Sequence, residues 1–192
     1  MKAVSEWKGL TKTQRRAWNA WAKDHPVLLD DGTVRRVSGR KAMSMVLRNR
    51  AAAGEALNPT VLPTDTTWLD GALTLNDAGP FTTNAGFIGF RATQNLNAGT
   101  KWFVWATPPL PDATQAPLPS LRFVTCLTPG AVAQDDLVGM NAQYLAVNGS
   151  WDGPDLDGAW PDPTCVWFRV HQYHEGYLSP GVTMKGLIQV EL

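Results

Sequence analysis

An aspartate-rich loop is the first feature of this sequence that could bind a metal. Asp152, Asp155 and Asp157 lie close together among glycines, and carboxylate oxygens are ligands that Ca²⁺ prefers. The spacing is not that of an EF-hand, because the twelfth position counted from Asp155 is Val166 rather than Glu. We therefore favour a solvated, turn-rich loop. The three aspartates stay as the alternative metal candidate, and we expect no cofactor.

Two histidines and a glutamate near the C-terminal end suggest a second metal site. His171 and His174 are three residues apart, so on a strand their side chains point to opposite faces. Convergence with Glu175 would require a turn beginning at Tyr173. We therefore predict an edge or surface role for both histidines.

Nucleophilic catalysis has no recognisable signature in the chain. The sequence contains no Gly-x-Ser-x-Gly elbow and no glycine-rich phosphate loop after a strand. Cys126 and Cys165 lie in apolar runs without an acid–base partner nearby in sequence, and we expect two buried free thiols. We predict that the protein is not an enzyme.

Positive charge is concentrated at the front of the chain. Residues 1–50 hold twelve Lys or Arg and four acids, whereas residues 51–192 hold five bases and thirteen acids, so the chain as a whole is neutral. This separation predicts a basic front end that meets an acidic surface. The candidate binding residues are two tryptophans and seven bases: Trp18, Trp21, Arg15, Arg16, Arg35, Arg36, Arg40, Lys41 and Arg48.

Three interpretations of this basic front end stay open. Docking on an acidic protein, such as the acidic part of another copy, ranks first, with Trp18 and Trp21 as apolar anchors and the arginines supplying charge complementarity. As an alternative to contact with a partner, the two tryptophans cover Met43, Val46 and Leu47 or lie against the larger domain. Binding of nucleic-acid phosphates ranks close behind, and a solvated face ranks third. A helix-turn-helix mode of DNA binding is disfavoured, because an eleven-residue hairpin stands where that motif has a short turn.

The bases lie on a predicted helix–hairpin–helix over residues 10–54. Residues 1–9 are predicted to form a flexible lead, which Trp7 would dock on the first helix. The elements are delimited by a capping box, a proline stop, a hairpin turn, a second N-cap and a closing glycine: Thr11 with Gln14, His25-Pro26, Asp31-Gly32, Ser38 and Gly54.

The remainder of the chain is predicted to be built from strands. We assign residues 1–57 to a basic helical anchor module, 58–65 to a proline-containing linker and 66–192 to a mainly antiparallel β-sandwich of immunoglobulin or fibronectin type III size. The fold class is α+β, with helices and strands segregated. The predicted strands are 68–75, 85–94, 101–107, 121–127, 165–173 and 182–192, with the second and third paired and 137–147 left as helix or strand.

Two further expectations concern sugars and membranes. A carbohydrate-binding sandwich is an alternative if Trp102, Trp151 or Trp160 forms an exposed stacking platform. The N-terminus lacks the apolar segment of a signal peptide, and no run of about 18 apolar residues occurs. We therefore expect neither secretion by a signal peptide nor a membrane partner.

Short motifs along the chain resemble a known group. They are Leu10-Thr11, Gln14-Arg15, Ala17-Trp18-Asn19, Pro26-Val27, Val37-Ser38-Gly39 and Asn49-Arg50 at the front, and 105–110, 166–170 and 176–181 in the body. This pattern looks like small uncharacterised proteins of bacteria and their phages, in which such a module precedes a sandwich-like region. Residues 150–163 depart from the pattern as an Asp-, Gly- and Pro-rich insertion.

The resemblance implies a structural role and no reaction. It suggests an accessory or minor component of a phage virion, in the capsid or tail. The implied partners are other virion proteins and copies of this chain, with nucleic acid as a further candidate. The implied location is the virion, or the host cytoplasm before assembly.

Overall fold

The computed structural model describes residues 2–28, 34–64, 75–81, 87–92, 101–111, 118–128, 137–148 and 164–187. The chain divides into two compact units. The first unit combines Met1–Thr67 with Tyr173–Pro180, and the second combines Trp68–Gln172 with Gly181–Leu192. None of the helices within the described ranges has the length and apolar composition needed to span a bilayer.

In the part of residues 1–67 that the structure describes, the first unit has three helices and a short antiparallel strand pair. The helices are α1 (Lys2–Gly9), α2 (Lys12–Asp24) and α3 (Gly39–Ala52), and between the last two lie β1 (Val27–Leu28) and β2 (Val34–Arg35). The predicted hairpin is confirmed at its paired ends, while Asp31-Gly32 lies outside the described residues. The prediction of a flexible lead is wrong, because most of it forms α1.

The helix ends form as the sequence predicts. The Thr11 hydroxyl accepts from the Gln14 backbone N–H at 3.2 Å, and the Gln14 side chain accepts from the Thr11 N–H at 2.8 Å, which completes a capping box. Ser38 caps α3. At the other end of α3, Gly54 has a φ of 70°, and the Glu55 N–H donates to the Arg50 carbonyl at 2.8 Å. This is the Schellman arrangement expected of a closing glycine.

The core of the first unit lies between α2 and α3. Trp18 on α2 is 1% exposed and packs in one apolar cluster with Met43, Val46 and Leu47 of α3. The Trp18 indole N–H donates to the Pro59 carbonyl at 2.8 Å. Residues 58–64, predicted as a linker, therefore belong to the first unit and close over its core.

A second segment of the first unit comes from far along the chain. Tyr173–Pro180, which we call the inserted hairpin, pairs β10 (Tyr177–Leu178) with the end of β9 (Thr164–His174). Its turn has positive φ at Glu175 (47°) and Gly176 (95°), as a type I′ turn requires. The predicted boundary at residue 66 therefore misses one part of the helical unit.

Side chains of α3 hold the inserted hairpin by its backbone. The Asn49 amide donates to the Gly176 carbonyl at 2.9 Å, and the Arg50 guanidinium donates to the Glu175 carbonyl at 3.0 Å. A Cβ at Gly176 would lie 2.6 Å from Val46 Cγ1 and 2.8 Å from the Val46 carbonyl oxygen. The turn thus approaches the helix too closely for any other residue.

The described ranges of the second unit form two antiparallel sheets and an α-helix. One sheet orders β3 (Leu75–Phe81), β4 (Phe87–Ala92) and β8 (Leu137–Gly139). In the other, the long β9 neighbours β5 (Lys101–Ala106), which pairs with β7 (Arg122–Leu127), and β9 also pairs with β6 (Leu110–Pro111) and β11 (Val182–Leu187). The helix α4 (Asn141–Asn148) follows β8 directly.

A single apolar cluster joins both sheets and α4. Phe90 of β4, Trp102 of β5, Phe168 of β9 and Tyr144 of α4 are each 1% exposed or less. The Tyr144 hydroxyl donates to the Thr107 carbonyl at 2.7 Å, so its polar atom is satisfied inside the core. The structure confirms an α+β protein with antiparallel sheets, while the immunoglobulin-like or fibronectin-like form of the sandwich stays a prediction.

Several strand predictions differ from the structure. Residues 85–94 and 101–107 do contain β4 and β5, but β4 pairs with β3 and β8, and β5 pairs with β7. The predicted strand 68–75 ends where β3 begins, because residues 76–80, which are rich in turn-forming types, form most of β3, with a bulge between Leu75 and Asp77. Pairing with β4 overrides the local turn preference of these residues. The ambiguous stretch 137–147 contains both a strand and a helix.

Candidate binding groove

A cationic concavity on the first unit is the candidate functional site. It has a volume of about 480 Å³, within the range of typical ligand sites. Four bases line it together with three apolar side chains and a serine: Arg35, Arg36, Lys41, Arg48, Val27, Val37, Met45 and Ser38. We call this feature the cationic groove.

Two local elements position the groove. Lys41, Met45 and Arg48 follow one another at helical spacing on α3, within an arc of about 60°, on the face opposite to its core residues. The other lining residues come from β1, β2 and the segment that leads into Ser38. The N-cap hydrogen bond from the Lys41 N–H to the Ser38 hydroxyl, at 3.3 Å, fixes the junction between the two elements.

The groove cations are exposed, and no carboxylate of the described residues pairs with them. Arg35, Arg36, Lys41 and Arg48 are all exposed. Among the described residues, the recorded ion pair is that of His174 with Glu175, and none of the four groove cations has a carboxylate partner. Like charges held this close repel one another, so an anion that entered the groove would relieve that repulsion.

The structure separates the predicted binding residues into three groups. Arg35, Arg36, Lys41 and Arg48 converge on the groove. Arg16 and Arg40 are exposed but do not line it. Arg15 is half-buried and serves α1, because its guanidinium donates to the Trp7 carbonyl at 3.1 Å and to the Lys8 carbonyl at 2.7 Å. These bonds satisfy carbonyls at the end of a short helix.

The two tryptophans do not act as free anchors. Trp18 is a core residue, so the prediction that it contacts a partner is wrong. Trp21 is half-buried, stacks on the His25 ring with centroids 4.3 Å apart, and meets the Tyr177 ring edge-on at 5.6 Å. His25 caps α2 as expected, with its Nδ1 2.9 Å from the Trp21 carbonyl oxygen. Large aromatic rings at this front end therefore stabilise the unit itself.

Arg50 is one of the twelve bases of residues 1–50, but the structure buries it. The residue is 5% exposed, and its guanidinium donates to the carbonyls of Glu175 (3.0 Å), Asn58 (3.3 Å) and Val61 (3.0 Å). Its charge stabilises the fold of the first unit and contributes no free cation to the surface.

Of the predicted metal ligands and thiols, the structure describes the histidines and the cysteines. Asp152, Asp155 and Asp157 lie outside the described residues. His171 Nε2 accepts a hydrogen bond from Arg169 Nε at 3.2 Å, and within the described residues no three potential ligands converge on one point. Of the two cysteines predicted to be buried, Cys165 is buried but Cys126 is half-buried, and the two do not form a disulfide.

One of the three tryptophans proposed as a platform for stacking on sugars is buried. Trp102 is 1% exposed and belongs to the core of the second unit, so it cannot stack on a sugar. Trp151 and Trp160 lie outside the described residues.

Sequence reasoning missed the apolar lining of the groove. Val27, Val37 and Met45 were not named as candidate binding residues, although the spacing of Met45 between Lys41 and Arg48 places it on the basic face of α3.

Comparison of the chain with protein-family models, with curated proteins and with solved structures found no significant match. The functional argument therefore depends on the geometry of the chain itself.

Proposed function

We propose that this protein is a non-enzymatic assembly protein that docks through its cationic groove onto an acidic protein surface. The observation that carries the proposal is the convergence of Arg35, Arg36, Lys41 and Arg48 on one concavity, without carboxylate partners among the described residues. Electrostatic complementarity of this kind steers a partner and fixes its orientation.

The lining of the groove favours a protein partner over nucleic acid. Val27, Val37 and Met45 are half-buried and line the groove together with the cations. A phosphate backbone needs cations but gains little from apolar side chains, whereas protein interfaces combine an apolar centre with a charged rim. Nucleic acid is the second candidate, because the same four cations can bind phosphates.

The setting of this function comes from the resemblance to bacterial and phage proteins. We propose an accessory or minor virion component, with the helical unit as anchor and an immunoglobulin-like or fibronectin-like sandwich as the packing or displayed body. Its partners are other virion proteins and copies of itself, and its location is the virion or the host cytoplasm before assembly. No membrane contact and no cofactor are part of the proposal.

Charge reversal in the native assembly tests the proposal. The quadruple variant R35E/R36E/K41E/R48E should lose incorporation into the complex in which the protein is found, as measured by the mass and composition of the purified complex. The matched control K12E/R16E reverses two exposed bases of α2 outside the groove and should be incorporated normally. Normal incorporation of the groove variant would overturn the docking assignment.

A binding assay against salt separates the two partner classes. Titration of the protein with duplex DNA over increasing salt should show weak binding without a steep salt dependence if the partner is a protein. Tight binding that falls steeply with salt would favour nucleic acid, because each neutralised phosphate releases counterions.

A further inference from the structure

The side chains that line the cationic groove determine which chemical groups its partner must carry. Four exposed cations line the groove together with the half-buried side chains of Val27, Val37 and Met45. A matching ligand therefore carries several carboxylates, no base, and apolar side chains as well. A segment of that composition would pair its carboxylates with the cations and bury apolar area against the three apolar side chains.

The chain itself contains one segment of this composition. Residues 152–162 hold four aspartates and no lysine or arginine, with Leu156 and Trp160 between the acids. The nearest bases in sequence are Arg122 and Arg169. Pro154 and Pro161 restrict the backbone of such a peptide, which lowers the conformational entropy lost on binding. Four negative charges equal the four positive charges of the groove.

We propose that the cationic groove of one copy binds residues 152–162 of a second copy. This inference rests on the proposed docking function and names its partner. The neutrality of the whole chain agrees with it, since the net positive charge of residues 1–50 is balanced by the net negative charge of residues 51–192. The contact joins two different surfaces, so it links copies in a reciprocal pair, a ring or an open chain.

A labelled peptide provides the direct test. A fluorescent peptide of residues 150–164 is titrated with the full-length protein, and fluorescence polarisation is followed. We expect saturable binding that weakens as salt rises, because exposed charge pairs are screened. Reversal of the groove in R35E/R36E/K41E/R48E should weaken binding by about tenfold, as the combined loss of four exposed charge pairs. The K12E/R16E control should bind as the wild type does.

A change in the peptide avoids any effect of the variants on folding. Replacing its four aspartates by asparagine should weaken binding to the wild-type protein by about tenfold as well, for the same electrostatic reason.

Static light scattering of the full-length protein should show a mass above that of the monomer at low salt and a monomer at high salt. The full-length variant D152N/D155N/D157N/D162N should be monomeric in both.

Each of the remaining outcomes overturns the inference. These are absence of peptide binding, equal binding by the asparagine peptide, a monomer at every concentration and salt, and preferential binding of a single- or double-stranded oligonucleotide to the groove. If incorporation into the native assembly depends on the groove but the peptide does not bind, the self-association fails while the docking function stands. If neither incorporation nor peptide binding depends on the groove, both the self-association and the docking function are refuted.

Discussion

Replacement of Arg50 by methionine should destabilise the first unit severely. Methionine retains an aliphatic side chain but removes three hydrogen bonds, to the carbonyls of Glu175, Asn58 and Val61. At about 1 kcal/mol for each net hydrogen bond, the free energy of unfolding should fall by about 3 kcal/mol. For a chain of this size that corresponds to a decrease in melting temperature of about 6–12 °C.

The assay is urea and thermal unfolding of the full-length protein, followed by tryptophan fluorescence and circular dichroism. Arg48→Met is the matched control, because Arg48 lies two residues earlier on α3 and is exposed. Its effect should stay within about 0.5 kcal/mol. If Arg50→Met lowers stability by no more than the control does, the three carbonyl contacts do not hold the first unit together, and the role assigned to Arg50 is wrong.

Three further predictions concern the first unit. Gly176→Ala should lower the free energy of unfolding by more than about 2 kcal/mol, because the added Cβ clashes with α3 and the residue has a strained positive φ. Gly54→Ala has the same strain but its Cβ meets open space, so it should lower the free energy of unfolding by about 1 kcal/mol. Equal losses in the two variants would contradict this difference. The backbone N–H of Thr64 holds the pKa of Glu175 below its ordinary value of 4.5, so this group's contribution to stability is full above that pH and is lost as pH falls through the lowered pKa. Glu175→Gln should therefore flatten the acid limb of the stability–pH curve, and an unchanged acid limb would contradict this role of Glu175. Residues 1–67 expressed alone lack the inserted hairpin and should show no cooperative thermal transition by circular dichroism; a cooperative transition would show that the hairpin is dispensable.

The local structure of the first unit could be predicted from the sequence because its signals are local. Thr11 with Gln14, Ser38 and Gly54 each satisfy backbone groups within a few residues, and each forms the expected cap. The paired ends of the hairpin and the buried face of α3 follow from periodicity for the same reason. The expected burial is found for Cys165 but not for Cys126, which is half-buried.

The roles of individual bases and tryptophans could not be predicted from the same signals. Arg15, Arg48 and Arg50 have the same chemistry in sequence, yet one caps α1, one lines the groove and one is buried. Their roles depend on which carbonyl groups come within reach after folding. Trp18 looked equally suited to a core or an interface, and burial decided for the core.

What the sequence determined by itself is the set of elements whose stabilising contacts lie within a turn or two: α2, α3, their caps and the separation of charge along the chain. What the tertiary structure decided is the membership of the first unit, because the inserted hairpin lies more than one hundred residues from α3. Hydrogen bonds from Asn49 and Arg50 to its backbone carbonyls leave no mark on side-chain pattern, since every residue has such a carbonyl. The convergence of four cations on one groove was decided in the same way, by the packing of a hairpin beside a helix.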